Sequence, residues 1–388
     1  MVEPTAGLNR TAYWLRPLFA DNLFFNSQRW MRCVMPASVL RPVLGALGLT
    51  QIRYVDAVRR GRASGLVAEV YRQVERDFGV LAPPVALHAP APEVLAAAWV
   101  LLRETLIVTG AAPRAAKEAV ATAVSLGNAC PYCATIHNNA LGLLAGAGID
   151  GAAGSDPGPA GGGAELEGIV GWAMPAGGRT PLDGPPFPAA QTPELAGVAV
   201  LLHYLNRVVN VFLRDVPLPP GVPEFALPVV LRVLGWAMMG ASRRPHGPGL
   251  SLDLLPAAPL PADLSWAAGH PTIAEAFGRA CAAIDEAGRR SVPEEVRDLV
   301  LVNLVGWHGG PRGISRAWVE ELVTGLPEPQ RPVARLALLV AFASYQVDPT
   351  VVRDCRVTGA DDRMLVEISS WSAMAAARWL GGKLTGPC

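Results

Sequence analysis

The residues best suited to chemistry in this sequence are two cysteines separated by two positions, with a histidine four positions further on. They are Cys130, Cys133 and His137, and Glu118 precedes Cys130 by eleven intervening residues. A cysteine pair at this spacing can cycle between dithiol and disulfide. An imidazole can activate a nearby thiol, and a carboxylate can orient that imidazole. The four residues therefore predict thiol-based redox chemistry.

These side chains meet if residues 113–144 form two antiparallel helices joined by a short turn. Glu118 and His137 then lie on facing helices, each nine or ten residues from a predicted break at Gly127-Asn128. Cys133 and His137 are four positions apart, so one helix presents both on the same face. We expect Glu118 to reach His137 directly or through a water molecule.

The arrangement predicts a two-step peroxidase cycle. A thiolate attacks the peroxide oxygen and becomes a sulfenic acid, and the second cysteine condenses with that acid to form a disulfide. An external dithiol must then reduce the disulfide by thiol exchange. Cys130 lies at the predicted helix start, where the helix dipole favours an anion, so we expect a lowered pKa there.

The stretch from Asn128 to His137, together with Glu118, resembles the active-site pattern of the alkylhydroperoxidase D (AhpD) and carboxymuconolactone decarboxylase family. Other matching positions are Pro92-Glu93, Arg103-Glu104 and Tyr204-Leu205-Asn206-Arg207-Val208. The resemblance is specific over residues 66–213, weak over 270–380 and absent from the first 60 residues.

The resemblance implies an all-α fold, homo-oligomers packed through helices, and thiol peroxidase activity toward a hydroperoxide. It also implies that Cys133 attacks the peroxide while Cys130 resolves the intermediate and faces the reductant. In the family, that external dithiol reductant can be a lipoyl-bearing protein. It assigns proton transfer to His137 and its orientation to Glu118.

Helical spacing of apolar residues recurs along the chain, and strand-like alternation is sparse, which independently favours an all-α fold. Gly- and Pro-rich stretches at 148–163 and 175–192 predict loops. The predicted organisation is an N-terminal helical extension (1–60), an AhpD-like domain with the redox site (61–244), a Pro-rich linker (245–263) and a degenerate AhpD-like repeat (264–388). The N-terminal extension is expected to be a pair of helices packed on the core, or an arm that embraces a neighbouring subunit or lies on a membrane surface.

The degenerate repeat is predicted from a shared order of helices and breaks at an offset of 180 positions. Pro113, Val120 and Pro131 recur as Pro293, Val300 and Pro311. The chemistry does not recur, because the cysteine pair becomes Gly310 and Gly313, His137 becomes Ala317, and only Asp298 stands in place of Glu118. We expect this copy to serve packing without catalysis.

Composition excludes several function classes. Acidic and basic residues balance at 33 each, which does not favour nucleic acid or an anionic membrane as a partner. The most membrane-like stretch, 225–241, contains Pro228 and Arg232 and is interpreted as a buried or amphipathic helix. Six cysteines in 388 residues do not make a disulfide scaffold. We predict a cytoplasmic protein without membrane association, cofactor or metal.

Four alternatives remain open. Cys-Pro-Tyr-Cys also occurs in glutaredoxins, where a β-strand precedes the pair. Cys130, Cys133 and His137, with Glu118 or water, could ligate zinc. Lactone decarboxylation is the other activity named with the family, although those members lack the cysteine pair. Finally, the pair could sense peroxide without turnover. His203 lies on an apolar helix and is interpreted as a packed or capping residue.

Overall fold

Helices make up the regular structure of the residues that the structure describes. A computed structural model describes residues 37–147, 161–174, 184–242 and 244–385, and no β-strand occurs in these ranges. The α-helices in chain order are α1 (Ala37–Leu49), α2 (Gly65–Asp77), α3 (Pro83–Ala86), α4 (Pro92–Leu101), α5 (Arg114–Gly127), α6 (Pro131–Ala147), α7 (Gly161–Ala173), α8 (Thr192–Phe212), α9 (Leu227–Ser242), α10 (Pro271–Ser291), α11 (Glu294–Leu304), α12 (Ala317–Val323), α13 (Arg331–Ala343), α14 (Pro349–Val357) and α15 (Asp362–Thr385). The predicted all-α fold class is confirmed.

The chain divides into two units between Leu40 and Arg41. The predicted N-terminal extension over residues 1–60 lies outside the described residues up to position 36. Residues 41–60 belong to the second unit, where the Arg53 backbone N–H donates to the Phe212 carbonyl at 2.8 Å. The division of the rest into two AhpD-like domains stays a prediction.

Helices α5 and α6 form the hairpin expected from the sequence. Helix α5 begins directly after Pro113, whose extended backbone (ψ 147°) and missing N–H suit a helix start. Nine of the eleven residues 115–125 are small or apolar, and all eleven are buried. This dense packing fixes Glu118 in place, since a buried helix has little freedom to shift.

Helix α8 occupies the centre of the unit and packs against α5 on one side and α15 on the other. Small residues let α8 and α15 approach closely. A Cβ atom added at Gly381 of α15 would lie 2.3 Å from Val200 Cγ2 of α8. Similarly, a Cβ added at Gly288 of α10 would lie 2.1 Å from the Trp371 ring of α15. Helices from both predicted repeats therefore share one core.

Among the described residues, one helix is long and apolar enough to cross a membrane, Ala189–Phe212, which contains α8. Within the protein, 94% of its most apolar window is buried. Most of the stretch 225–241, which the sequence singled out as the most membrane-like, lies in α9. Its side chains Phe225 and Val229 are largely exposed. Since the protein's own helices cover α8, its apolar composition is explained by core packing.

The segment predicted as a linker, 245–263, is held against the first half by buried charges. Arg103 pairs with Asp77 at 2.7 Å and with Glu104 at 2.6 Å, and all three side chains are buried. Arg103 also donates to the Gly247 carbonyl at 3.0 Å, and Glu104 accepts from the Ser251 hydroxyl at 2.7 Å. The Arg103-Glu104 match therefore has a structural role in anchoring this segment.

Three helices, α3, α7 and α14, were not expected from the sequence. Helix α7 starts inside the predicted loop 148–163. The Gly-rich stretch that predicts this loop continues into the first turn of the helix. Helix α14 is short and amphipathic, and Asp348 caps it by accepting from the Thr350 and Val351 N–H groups. The loop residues 148–160 and 175–183 lie outside the described residues.

Candidate active site

The turn between α5 and α6 positions the cysteine pair. The N–H of Cys130 donates to the Ser125 carbonyl at 3.0 Å, and the N–H of Ala129 donates to the Leu126 carbonyl at 3.1 Å. This is the Schellman pattern of helix termination, which places a left-handed residue between the helices. That residue is Ala129, with φ 49°, where glycine is usual. The break thus lies at Asn128-Ala129, one position after the predicted one.

Glu118 and His137 meet across the hairpin as expected. Glu118 Oε2 lies 2.7 Å from His137 Nδ1, and Glu118 Oε1 accepts from Arg114 Nε at 2.8 Å. Although burial alone would raise the pKa of Glu118, the charges of Arg114 and His137 and their hydrogen bonds lower it to about 2. The carboxylate is therefore ionised over the whole physiological pH range.

His137 is the partner of that carboxylate. Its side chain is 14% exposed. Burial would lower the pKa of His137, but the charge and hydrogen bond of Glu118 outweigh burial and raise it, with a further contribution from Cys133. Because Glu118 binds Nδ1, the ring's Nε2 is left to act on other groups.

The two cysteines have opposite acidities. Both are buried, at 1% exposure for Cys130 and 4% for Cys133, and both are free thiols. A hydrogen bond from Cys130 is the largest influence on Cys133, and together with the charge of His137 and a hydrogen bond from Asn206 it outweighs burial and lowers the pKa of Cys133. Burial, followed by the Cys133 sulfur, raises the pKa of Cys130.

The expectation of a low pKa at Cys130 from its position at the helix start is therefore wrong. The helix dipole acts weakly on a thiol that is buried and already donates its proton to a neighbouring sulfur. Within the pair, Cys133 has the lower pKa, because hydrogen bonding from Cys130, the charge of His137 and hydrogen bonding from Asn206 outweigh burial there.

A polar network of side chains on α8 is hydrogen-bonded to the turn between α5 and α6. Asn206 accepts from Asn128 Nδ2 at 2.9 Å and donates to Ser125 Oγ at 3.1 Å. His203 contacts the Asn128 side chain at 3.1 Å, and burial followed by the charge of Arg207 lowers the pKa of His203 well below its ordinary value. His203 is thus a neutral packing residue, as the sequence analysis held.

Arg114 and Asn206 were not singled out as site residues from the sequence. A signal existed for each. Arg114 precedes Glu118 by one helical turn, and Asn206 belongs to a set of polar residues at helical spacing within an otherwise apolar helix: His203, Asn206, Arg207 and Asn210. Buried polar residues at that spacing predict a hydrogen-bonded face.

The corresponding positions of the second half carry no thiol. Gly310 and Gly313 lie in the loop between α11 and α12, and Ala317 begins α12. Asp298 is exposed on α11, unlike the buried Glu118. Within the described part of the chain, no three Cys, His, Asp or Glu side chains converge as metal ligands would. The cysteine pair also follows a helix and no strand, which removes the glutaredoxin alternative.

Comparison with curated proteins finds an alkyl hydroperoxide reductase, Rv2159c, of Mycobacterium tuberculosis. It is 36% identical over 340 residues, which cover 86% of this chain and 96% of that protein. The chain belongs to the AhpD-like family. Because the uncovered 14% is shorter than residues 264–388, the similarity of this AhpD-like protein extends into its predicted second repeat. No family model and no solved structure matches the chain.

The relative's name agrees with the peroxidase-like character predicted for this AhpD-like protein. The site brings together a buried thiol with a lowered pKa, a second buried thiol beside it, and an imidazole held by a carboxylate at 2.7 Å.

Proposed function

We propose that the chain is a thiol-dependent peroxidase that reduces organic hydroperoxides through the Cys130–Cys133 pair. The observation that carries the proposal is the 2.7 Å contact between Glu118 and His137, one helical turn from the buried thiol of Cys133. Hydrogen bonding from Cys130 and Asn206 and the charge of His137 lower the pKa of Cys133. These three contacts stabilise a thiolate in a site from which water is largely excluded.

In the proposed cycle, the Cys133 thiolate attacks the distal oxygen of the hydroperoxide and the O–O bond breaks. His137 gives a proton to the departing alkoxide, so that an alcohol leaves and Cys133 becomes a sulfenic acid. The Cys130 thiol then attacks the Cys133 sulfur, water leaves, and a disulfide forms. Glu118 acts throughout by holding His137 in its protonated state and correct orientation.

An external dithiol would restore the reduced pair. Following the family pattern, we assign Cys130 as the sulfur that the reductant attacks. We also propose that the second half is a degenerate repeat that contributes packing, that the chain forms homo-oligomers, and that it works in the cytoplasm.

The test is steady-state consumption of cumene hydroperoxide by the purified chain with a dithiol reductant. The wild type should turn over, while Cys133→Ser, Cys130→Ser and His137→Ala should each lose at least about 10²-fold in activity. A Cys281→Ser variant is the matched control, because Cys281 is equally buried but its pKa is raised by burial.

A second candidate is redox sensing without significant turnover, and the observation that favours it is the burial of both sulfurs. In that case one equivalent of peroxide would oxidise the pair, while a dithiol would fail to sustain repeated cycles.

A further inference from the structure

A cleft of about 310 Å³ lies beside the redox pair, between the two predicted repeats. One wall is the turn Gly127–Ala129 of the first half. Arg207 of α8 also lines it, and the rest of the wall comes from the second half, namely the loop 307–314 and residues 342–345. The loop is held in place because Trp379 Nε1 donates to the Trp307 carbonyl at 2.9 Å. This volume is at the lower end of small-molecule sites, which span about 300–1,000 Å³.

The cleft is lined by a buried positive charge, Arg207, which is 4% exposed. Its Nε donates to the Ala341 carbonyl at 3.0 Å and its Nη1 donates to Asn128 Oδ1 at 3.2 Å. It also lies over the Trp307 ring, 5.6 Å from the centroid. All of these partners are neutral, and across the described ranges no carboxylate lies within 4.0 Å of Arg207. Burial lowers the pKa of Arg207 to about 9, so it is charged at neutral pH.

A buried cation without a counter-ion is unfavourable, and an anion that enters the cleft would relieve this. The remaining lining is largely apolar, with Trp307, Phe342 and Ile314. Chemistry of this kind suits a small molecule with one carboxylate and a short apolar body, because the guanidinium binds carboxylate oxygens strongly.

The cleft is also coupled to the thiols. Ala129 lines it, and the Cα atom of Cys130 is one trans peptide away, at about 3.8 Å. On the other side, Arg207 donates to Asn128, and Asn128 donates to Asn206, which binds the Cys133 sulfur. A molecule seated on Arg207 therefore lies against the turn that carries the resolving cysteine.

We propose that this cleft is the reductant site and that Arg207 selects a small dithiol carrying a carboxylate. The inference rests on the proposed peroxidase function and specifies the class of its reductant. One thiolate of the dithiol attacks the Cys130 sulfur of the disulfide, and Cys133 leaves as a thiolate. The second thiol of the reductant then attacks the reductant sulfur that is bonded to Cys130. Cys130 leaves, and the reductant closes to a cyclic disulfide.

Two pairs of probes test the site, each differing only in charge. Octanoate and octanamide report binding without any redox reaction, by titration calorimetry on the reduced wild-type chain. Dihydrolipoate and dihydrolipoamide report KM for the reductant at a fixed concentration of cumene hydroperoxide. In each pair the carboxylate should be favoured about 10- to 100-fold.

Two variants locate the effect. Arg207→Gln should abolish the preference for the carboxylate in both assays. Gly310→Phe keeps Arg207 intact and fills the cleft, since a Cβ at Gly310 meets nothing within 4 Å, and it should raise KM for both dithiols. Gly325→Phe is the control, because a Cβ there is equally unobstructed and Gly325 does not line the cleft.

Equal affinities for octanoate and octanamide would overturn the inference, as would a preference that survives Arg207→Gln or equal KM values for the two dithiols. These results differ from a failure of the proposed function. If the peroxidase assignment is wrong, neither dithiol supports turnover, whereas equal KM values with sustained turnover refute only the role of Arg207.

Discussion

Replacing Glu118 with glutamine tests how the site keeps Cys133 ionised. The substitution preserves shape and a hydrogen-bond acceptor but removes the charge that faces His137 Nδ1 at 2.7 Å. The pKa of His137 is raised because Glu118 outweighs burial, so it should fall in the variant. The uncompensated charge of Arg114 would lower it further. With less charge on His137, the pKa of Cys133 should rise.

The size of the change follows from the contact that is lost. A hydrogen bond to a charged group contributes about 1.5–3 kcal/mol, and one pH unit corresponds to about 1.36 kcal/mol. The pKa of His137 should therefore fall by about 1–2 pH units. Activity requires the Cys133 thiolate and the His137 imidazolium together. The alkaline limb of the pH–rate profile, set by His137, should therefore shift to lower pH, and the acid limb, set by Cys133, should shift to higher pH. The bell narrows from both sides, and kcat/KM at neutral pH should drop at least about 10-fold.

The assay is kcat/KM for cumene hydroperoxide between pH 5 and 10, with a saturating dithiol. Glu194→Gln is the control, because Glu194 is also buried and pairs with Lys117 at 2.7 Å, a neighbour of Glu118 on α5 that does not contact His137. It should lower stability and leave the profile's shape unchanged. A Glu118→Gln profile of wild-type width, lowered uniformly, would refute the electrostatic role.

Glu118 also links stability to pH. Its pKa falls from an ordinary value of 4.5 to about 2 on folding, which corresponds to about 3 kcal/mol. Because the folded value is the lower one, this stabilisation is present above pH 4.5 and is lost as the pH falls toward 2. The difference in unfolding free energy between wild type and Glu118→Gln should shrink over that interval in urea titrations.

Three further predictions follow from local contacts. Cys130→Ala removes the hydrogen-bond donor to Cys133, whereas Cys130→Ser retains one. The thiolate absorbance of Cys133 should therefore titrate about one pH unit higher in the alanine variant than in the serine variant. Equal titrations would exclude this hydrogen bond. Ala129→Gly should raise the unfolding free energy by up to about 1 kcal/mol, since glycine relieves the positive φ, and a loss in urea unfolding would contradict the assignment of this turn. Gly381→Ala should destabilise by about 1–3 kcal/mol through overpacking between α8 and α15, whereas Gly382→Ala, whose Cβ meets nothing closer than 4.0 Å, should change thermal stability little or raise it.

The hairpin and its central contact were predictable because both depend on sequence distance. Two helices joined by a short turn bring equidistant residues together, and Glu118 and His137 satisfy that condition. The predicted break at Gly127-Asn128 was one residue too early. Glycine is the residue usually found at such a break, but here Ala129 adopts the left-handed conformation. Helix termination here is set by the hydrogen bonds of the turn, which spacing alone does not specify.

The order of thiol acidities was not predictable, because it depends on burial and on residues far away in sequence. Asn206 reaches Cys133 from α8, more than seventy positions along the chain. The helix dipole depends only on the local backbone, so it predicted a lowered pKa at Cys130, whereas the pKa of Cys133 is the lowered one. Likewise, Pro- and Gly-rich composition suggested a linker at 245–263, while the buried carboxylate of Glu104 holds part of that segment on the first half.

The most direct test of the central claim is a single turnover of the reduced chain with one equivalent of cumene hydroperoxide, followed by mass spectrometry of the alkylated peptides. The account predicts a Cys130–Cys133 disulfide in the wild type, and in Cys130→Ser a sulfenic acid at Cys133 that a dimedone probe traps. A sulfenic acid trapped at Cys130 in Cys133→Ser at an equal rate, or no oxidation of either cysteine, would contradict it.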